Sequence, residues 1–413
     1  MPAIVEFPQI VQEAVKVFGP LFPNEPQRRH FAEYLTGLFV AECKNVTAIN
    51  REFAETTDPS CLNRFLTDAA WDVEALNNAR LALLQRDADT RYHPRGVIAI
   101  DNTLIGHDGK LIADVGWFWD HVDQRHMIAH DYLFGNYVCP SGKHYPLHFR
   151  RFRKRDLCEA EKTVFKDHTV QCQELIDWVV EQKIPGDFVF DSYFTNAPIV
   201  NYIHGKRLKN DRPRGYIGSL KFNRKVQYKG KTLKVSELAA RIQPEKRKKI
   251  DHGNRQQWYF SCALHIAEIN HKLRIVILWD EKEDKEARLA LVSNRTAWEA
   301  KRLVGVYRQR WTGTETFHRD GKQELGMGDC QLRDSQGQTR HMHLVMLAYS
   351  LLMRQLLCNR AYEWACNWLT TIGQACRAVG TETLRKTLIW AIQQVTREDQ
   401  DLDQVLAHLG LAK

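Results

Sequence analysis

Two carboxylates stand where short apolar runs end, and a third lies on a helix expected to begin near Ala297. Asp101 closes Val97-Ile98-Ala99-Ile100, and Asp191 closes Phe188-Val189-Phe190 in the same manner. A single Asp at the end of a buried strand usually caps a turn, but two in the same arrangement shift the balance toward chemistry. Asp187 opens the second run instead of closing it, which puts it at the opposite end of the strand. The third carboxylate, Glu315, follows Tyr307-Arg308-Gln309-Arg310-Trp311 and precedes Phe317, Arg319 and Lys322. Seven residues is nearly two helical turns, so Arg308, Glu315 and Lys322 are expected along one face. That stripe reads either as a salt-bridge ladder, worth about 0.3–0.5 kcal/mol per exposed pair, or as a carboxylate between two phosphate-holding cations. Two strand-end Asp and one helical Glu are the hard oxygen donors that divalent cations prefer, and cations so held activate phosphoryl transfer.

Other chemistries find less support. The ten cysteines contain no C-x2-C pair and no zinc-type spacing with histidine, so they read as reduced, scattered thiols. His121, His126 and His130 lie beside Asp120 and Asp123 but lack the H-E-x-x-H pattern of a metal hydrolase, and a surface turn is expected there. His341 and His343 are read as helix-capping residues in preference to phosphate ligands. Trp364, Trp368 and Trp390 are read as packing elements of C-terminal helices, with a dimer surface as the alternative use.

The elements that must position the carboxylates follow from periodicity. Residues 1–90 read as helical: Arg28 to Ala41 carries Phe31, Tyr34, Leu35, Leu38 and Phe39 at helical spacing, and Asn45 to Glu55 and Cys61 to Leu66 continue the pattern. Pro59 restricts Asp58, and Ser60 is expected to cap the next helix. This pair of short helices fits a helix-turn-helix or a small bundle. Strands are then expected at Val97 to Ile100, Leu111 to Trp119, Asp131 to Val138 and Tyr145 to Phe152. One long helix, Glu159 to Gln182, leads to a strand at Asp187 to Phe190, a helix at Pro198 to His204 and a strand at Gly215 to Leu220. Strands at Val226 to Val235, Gln257 to His265, Leu273 to Trp279 and Ala287 to Ser293 look inserted before a helix opened by the capping box Thr296-Ala-Trp-Glu299. The order is that of an α/β fold with a ribonuclease H-like core. The expected partition is a helical N-terminal domain over 1–90, core over 91–220, basic β-rich insertion over 221–295, core again over 296–340, and C-terminal helices over 341–413.

Composition agrees with an intracellular, nucleic-acid-directed protein. The chain has 413 residues, 44% hydrophobic, and its longest apolar run, Leu344 to Met353, falls far short of the ~20 residues of a membrane span. No leader with a basic start and an apolar block is visible, so the cytoplasm is the expected location and no membrane partner is expected. Between Gly205 and Arg255 there are 17 Lys or Arg against 4 Asp or Glu, a local charge of +13 in a chain whose total is +9. Tyr216, Phe222, Tyr228, Trp258 and Tyr259 lie among or beside these cations, and the mixture favours a polyanion surface.

With these residues in view the chain resembles the DDE transposases of bacterial insertion sequences, in particular the branch with a Tyr-Arg-Glu-Lys signature and a β-rich insertion. The most specific segment is YRQRWTGTETFHRDGKQELGMGDCQLR, Tyr307 to Arg333, followed by RHMHLVMLAYSLL, and CLNRFLTDAAWD, Cys61 to Asp72, resembles the helical leader of one subgroup. The resemblance implies Asp101, Asp191 and Glu315 as a catalytic triad holding two Mg²⁺, with Mn²⁺ able to substitute. It implies Tyr307, Arg310, Glu315 and Lys322 as signature residues, and DNA contacts from Tyr307, Arg308, Arg310, Trp311, Arg319 and Lys322. Trp258, Trp298 and Trp311 are the candidates for stacking a flipped base. The implied activity is cut-and-paste transposition: cleavage at terminal inverted repeats and strand transfer into target DNA by a homodimer, in the nucleoid region of the cytoplasm. A transposase-derived DNA-binding protein that does not cut, and a structure-selective nuclease of the same fold, are the alternatives. The signature is usually spaced Y-x2-R-x3-E-x6-K, whereas four residues, Trp311 to Thr314, separate Arg310 from Glu315 here. A π-bulge or break at Gly313 would restore the register.

Overall fold

The computed structural model describes residues 3–121, 123–208, 211–252, 255–356 and 368–411. Trp364 therefore lies outside the described residues. The chain divides into two compact units: Met1–Arg91, Leu104–Asp131 and Phe317–Lys413 form one, and Tyr92–Thr103 with Tyr132–Thr316 the other.

The second unit is built on a mixed sheet. Its first strands are β1 (Val97–Gly106), whose early part lies in this unit, the later part of β3 (Arg125–Val138), and β4 (His144–Phe152). After them come β5 (Asp187–Phe190), β6 (Tyr216–Ser219), β9 (Lys248–His252), β10 (Arg255–Leu264), β11 (Leu273–Trp279) and β12 (Leu289–Ser293). β4 pairs with β3, and the order from there is β3-β1-β5-β6-β12-β11-β10-β9. β1, β5 and β6 are parallel, with Ala99 opposite Val189 and Val189 opposite Ile217, whereas β12 runs antiparallel to β6. The five strands β4-β3-β1-β5-β6 have the ribonuclease H-like order, and four later strands extend the same sheet. A separate hairpin, β7 (Lys225–Tyr228) with β8 (Lys231–Lys234), turns at Lys229 and Gly230, both at positive φ. Two consecutive left-handed residues make the tight hairpin turn that matches strand twist, so the single strand expected over 226–235 is two.

Three longer helices cover this sheet, α7 (His168–Glu181), α8 (Ala197–Gly205) and α10 (Ala300–Gly313), and a short α9 (Val235–Ala240) follows the hairpin. Val97, Ala99, Val138, Val189, Ile217 and Leu291 form one core with Ala300, Leu303 and Val304 of α10. Gly135, on the other face of β3, meets Leu175 of α7. The continuous helix expected over 159–182 is instead α6 (Arg155–Ala160) and α7, because Lys162 takes a positive φ and Asp167 caps a new start by accepting from Val170 N. α10 opens at Ala300 with Glu299 as N-cap, not in the expected box at Thr296; Trp298 N bonds back to Arg295 O in a turn.

The first unit is mainly helical. It holds α1 (Gln9–Phe18), α2 (Glu25–Val40), α3 (Val46–Arg51), α4 (Pro59–Thr67) and α5 (Val73–Leu84). α11 (Glu315–Glu324) continues from the other unit into this one, which also holds α12 (Ser335–Gln355), α13 (Ile372–Thr396) and α14 (Leu402–His408). Asn24, Asn45, Asp58 and Asp72 cap helices through their side chains, so the cap at α4 is Asp58 and not Ser60. α12 is buried along nearly its whole length, and its polar groups are bonded inside: Arg340 donates to the carbonyls of Leu66, Ala69 and Trp71, and Ser350 accepts from Arg80. His341 and His343 are buried in this helix, neither capping it nor exposed to phosphate; His341 bonds Tyr34 and Gly326 O. The strand expected over 111–119 shortens to β2 (Gly116–Asp120), with Asp114 at positive φ before it. His130 is likewise interior, bonded to His107 and to Ala113 O, where a surface turn was expected. Among the described residues no helix is long and apolar enough to cross a membrane.

Candidate active site

Asp101 and Asp191 are neighbours because β1 and β5 are parallel and in register. Ala99 pairs with Val189, and each Asp stands two residues further on. β1 does not end there: it continues to Gly106 beside β3, so Asp101 sits mid-strand at the point where β5 stops. Past that point Asp191 Oδ1 accepts from Tyr193 N at 2.9 Å and Phe194 N at 3.3 Å, an Asx-type turn that fixes its carboxylate.

Glu315 reaches the same end through a break in its helix. α10 stops at Gly313, Thr314 turns out of helical geometry with φ −107° and ψ −63°, and α11 starts at Glu315. A Cβ on Gly313 would lie 2.7 Å from Val138 Cγ2 and 3.0 Å from Ala99 Cβ. Glycine is thus what lets the end of α10 lie on β1 and β3. The break falls between Arg310 and Glu315, where the signature spacing carries its extra residue.

One cation sits among the three acids. Arg310 Nη1 is 2.5 Å from Asp101 Oδ2 and 3.9 Å from Glu315 Oε1. The buried Thr314 hydroxyl lies 3.4 Å from the same Asp101 oxygen. Burial raises the Asp101 carboxyl to about 7; Arg310 opposes this, while Asp191 and Glu315 add repulsion. Burial lowers the Arg310 guanidinium, but Asp101, Tyr307, Asp191 and Glu315 together outweigh it and hold the group above its usual value. These couplings put Tyr307, Arg310 and the three carboxylates in one electrostatic neighbourhood.

The other expected site residues are dispersed. Arg308 turns away from the carboxylates and donates to Gln257 on β10 at 2.7 Å. The break at Thr314 separates Arg308 from the stripe expected with Glu315. Trp311 is 64% exposed near the end of α10. Trp258 is half-buried on β10, with Lys282 over its ring at 5.4 Å. Trp298 precedes α10 and lines a cleft with Asp187, at the end of β5 away from Asp191. The 14 residues of α10 span about 21 Å at 1.5 Å per residue, so Trp298 is not brought to the carboxylates. Arg319 and Lys322 belong to the first unit, where Arg319 pairs with Asp320.

Three residues at the site escaped the sequence reading. Thr314 is one. Tyr193, 52% exposed two residues after Asp191, is another aromatic surface at this end of the sheet. Asn136 is the third: it is fully buried on β3, beside the Cβ position of Gly313, and among the described residues neither of its amide atoms has a hydrogen-bond partner. Only a polar residue between aromatic and apolar neighbours in Phe134 to Val138 signals it.

Residues 17–248 match the family model of the DDE superfamily endonuclease, and residues 166–351 match that of the transposase DDE domain. The chain belongs to the DDE superfamily. The first match takes in Asp101 and Asp191 and the second Asp191 and Glu315, so the two together run through all three acids of this DDE chain. Curated proteins include no match to it. DDE enzymes generally use divalent metals. Among the described residues no three His, Cys, Asp or Glu side chains clasp an ion as they stand, since Arg310 reaches in between Asp101 and Glu315. The donor set nevertheless fits: all donors are carboxylate oxygens, and their repulsion at Asp101 is what a bound dication relieves.

Proposed function

We propose that this DDE endonuclease is the transposase of an insertion sequence, and that Asp101, Asp191 and Glu315 are its catalytic carboxylates. The observation that carries the reading is the meeting of these three acids around one arginine where β5 ends beside the parallel strand β1. The three carboxylates would hold Mg²⁺ or Mn²⁺, which supplies Lewis-acid activation of the attacking oxygen and charge stabilisation at the scissile phosphate. The Asx-type turn holds Asp191 in place for that ligation, and the Thr314 break sets the reach of Glu315.

Arg310 has two stations in this proposal. It neutralises the acids in the free protein, and it turns to the DNA phosphate once they are otherwise compensated; a planar guanidinium suits both partners. Asp101, with its carboxyl near 7, gives up a proton when the cations bind. Exposed Tyr193, two residues after Asp191, and exposed Trp311, four residues before Glu315, are the proposed platforms for unstacked bases. The chain's substrates are its own element ends, which carry inverted repeats, and a target duplex. Cutting and joining both ends requires two copies, so a homodimer on DNA is proposed.

The test is cleavage of labelled DNA carrying the flanking element ends, with Mg²⁺ or Ca²⁺, by the wild type and by Asp101→Asn, Asp191→Asn and Glu315→Gln. Cleavage and joining with Mg²⁺, lost in each variant while end binding persists, is the expected result. Specific binding without cutting in every protein would replace the enzyme by a DNA-binding descendant, and cutting by any variant would remove that residue from the site.

A further inference from the structure

The strand directions that gather the carboxylates at one end of the sheet gather cations at the other. β1, β5 and β6 are parallel, so the loops that enter them arrive together at their N-terminal ends, and antiparallel β12 delivers Arg295 and Trp298 to the same place. There the second unit has a cleft of about 810 Å³ whose lining contains Arg95, Arg212, Arg295 and Arg302 and only one acid, Asp187.

These arginines do different things. Arg295 is committed to Asp187, with Nε and Nη2 on its two oxygens at 3.0 and 2.5 Å, and this pair forms part of the floor. Arg95, Arg212 and Arg302 are exposed at the rim, one from each of three loops or helix starts. Arg302 lies flat on Trp298, its guanidinium carbon 3.6 Å from the ring centroid. Stacking restrains that exposed fork at little loss of hydration, because guanidinium is weakly hydrated.

We infer that this cleft is a second phosphate-backbone site for duplex DNA, at the end of the sheet opposite the carboxylates. A small anion would be held by buried donors converging on one point. Exposed arginines spread around an open cleft instead match a polymer with one charge per ~1.7 Å of axis. The site holds a length of duplex away from the reacting phosphate: β5 alone separates its Asp187 from Asp191. The inference rests on the reading of the protein as a DNA enzyme, but its deciding readout is the binding of duplex of arbitrary sequence, so either can fail without the other.

The experiment is fluorescence anisotropy of a labelled 30-base-pair duplex of arbitrary sequence against the full chain, across a KCl series. It compares the wild type with the triple variants Arg95→Ala/Arg212→Ala/Arg302→Ala and Arg95→Lys/Arg212→Lys/Arg302→Lys. Each lost phosphate contact lowers the slope of log K against log salt by about 0.9, so the alanine protein should bind more weakly with a slope shallower by roughly 2–3. The lysine protein should recover most of the slope. Cleavage of end-bearing DNA at saturating concentration should be the same in all three. An unchanged slope in the alanine protein overturns the inference, and so does a lysine protein as weak as the alanine one. Saturable micromolar binding of inorganic phosphate, lost in the alanine protein while duplex binding is unchanged, would make the cleft a small-anion site and also overturn it.

Discussion

Replacing Gly313 by alanine changes one atom and should disable the proposed site from the packing side. The new Cβ would stand 2.7 Å from Val138 Cγ2 and 3.0 Å from Ala99 Cβ, where carbon atoms ordinarily keep 3.5–4.0 Å. Both neighbours lie on a central sheet that cannot yield, so the end of α10 must lift by about 0.5–1 Å. Overpacking of this kind costs about 1–3 kcal/mol, read as a lower urea midpoint. Glu315 begins the next helix two residues on and moves with that end. A displacement near 1 Å at a reacting centre costs about 100-fold in rate. Single-turnover cleavage of end-bearing DNA should therefore fall by that order while affinity for the same DNA stays within about twofold. Val138→Ala removes the methyl that clashes, so Gly313→Ala/Val138→Ala should recover part of both losses, a coupling of about 0.5–3 kcal/mol in stability. Wild-type cleavage and stability in Gly313→Ala would refute the close-approach argument, and so would strictly additive losses in the double variant.

Asp101 and Asn136 give two further tests. The Asp101 carboxyl is raised from its usual 3.8 to about 7, so between those values the native state holds a proton that the unfolded state lacks, and stability falls as pH rises through that window. Asp101→Asn should flatten that part of the stability profile and raise the melting temperature at pH 8; an unchanged profile would show that Asp101 titrates normally. By the same proton release, Mg²⁺ should raise the wild-type melting temperature more at pH 8 than at pH 6, and an equal rise at both would count against Asp101 as a ligand. Asn136 buries an amide with no partner among the described residues, a loss of about 1–3 kcal/mol. Asn136→Leu should therefore be neutral or stabilising in urea unfolding while cleavage falls; a stabilised protein with full cleavage would leave Asn136 no part in the chemistry.

The parts of this structure legible in the sequence are those set by local apolar runs. Asp187–Phe190 and Leu273–Trp279 are strands at the expected residues because the apolar runs they contain, Phe188 to Phe190 and Ile275 to Trp279, are short and continuous, as strands buried on both faces are. The carboxylates were visible as the polar residues that end such runs, and the interruption near Gly313 was visible as one residue too many in a helical spacing. What stayed hidden depends on partners distant in sequence. Nothing local tells that Arg310 meets Asp101, 209 positions away. Nothing local tells that Arg308 is held by Gln257, or that His130 and His341 face inward. The misplaced helix start at Thr296 and the unexpected gap between α6 and α7 have a local cause: turn geometry at single residues such as Lys162, which a periodic pattern averages away.

Asp101, Asp191 and Glu315 are proposed to bring a divalent cation onto the scissile phosphate. The most direct measurement replaces one non-bridging oxygen of that phosphate by sulfur, at the position mapped by ordinary cleavage, and compares Mg²⁺ with Mn²⁺. Sulfur is a poor ligand for Mg²⁺ and a better one for Mn²⁺. Cleavage should drop sharply with Mg²⁺, return with Mn²⁺, and return in no metal for Glu315→Gln. Equal cleavage of the oxygen and sulfur substrates with Mg²⁺, in both sulfur stereoisomers, would contradict a metal contact at that phosphate and with it the proposed role of the three acids.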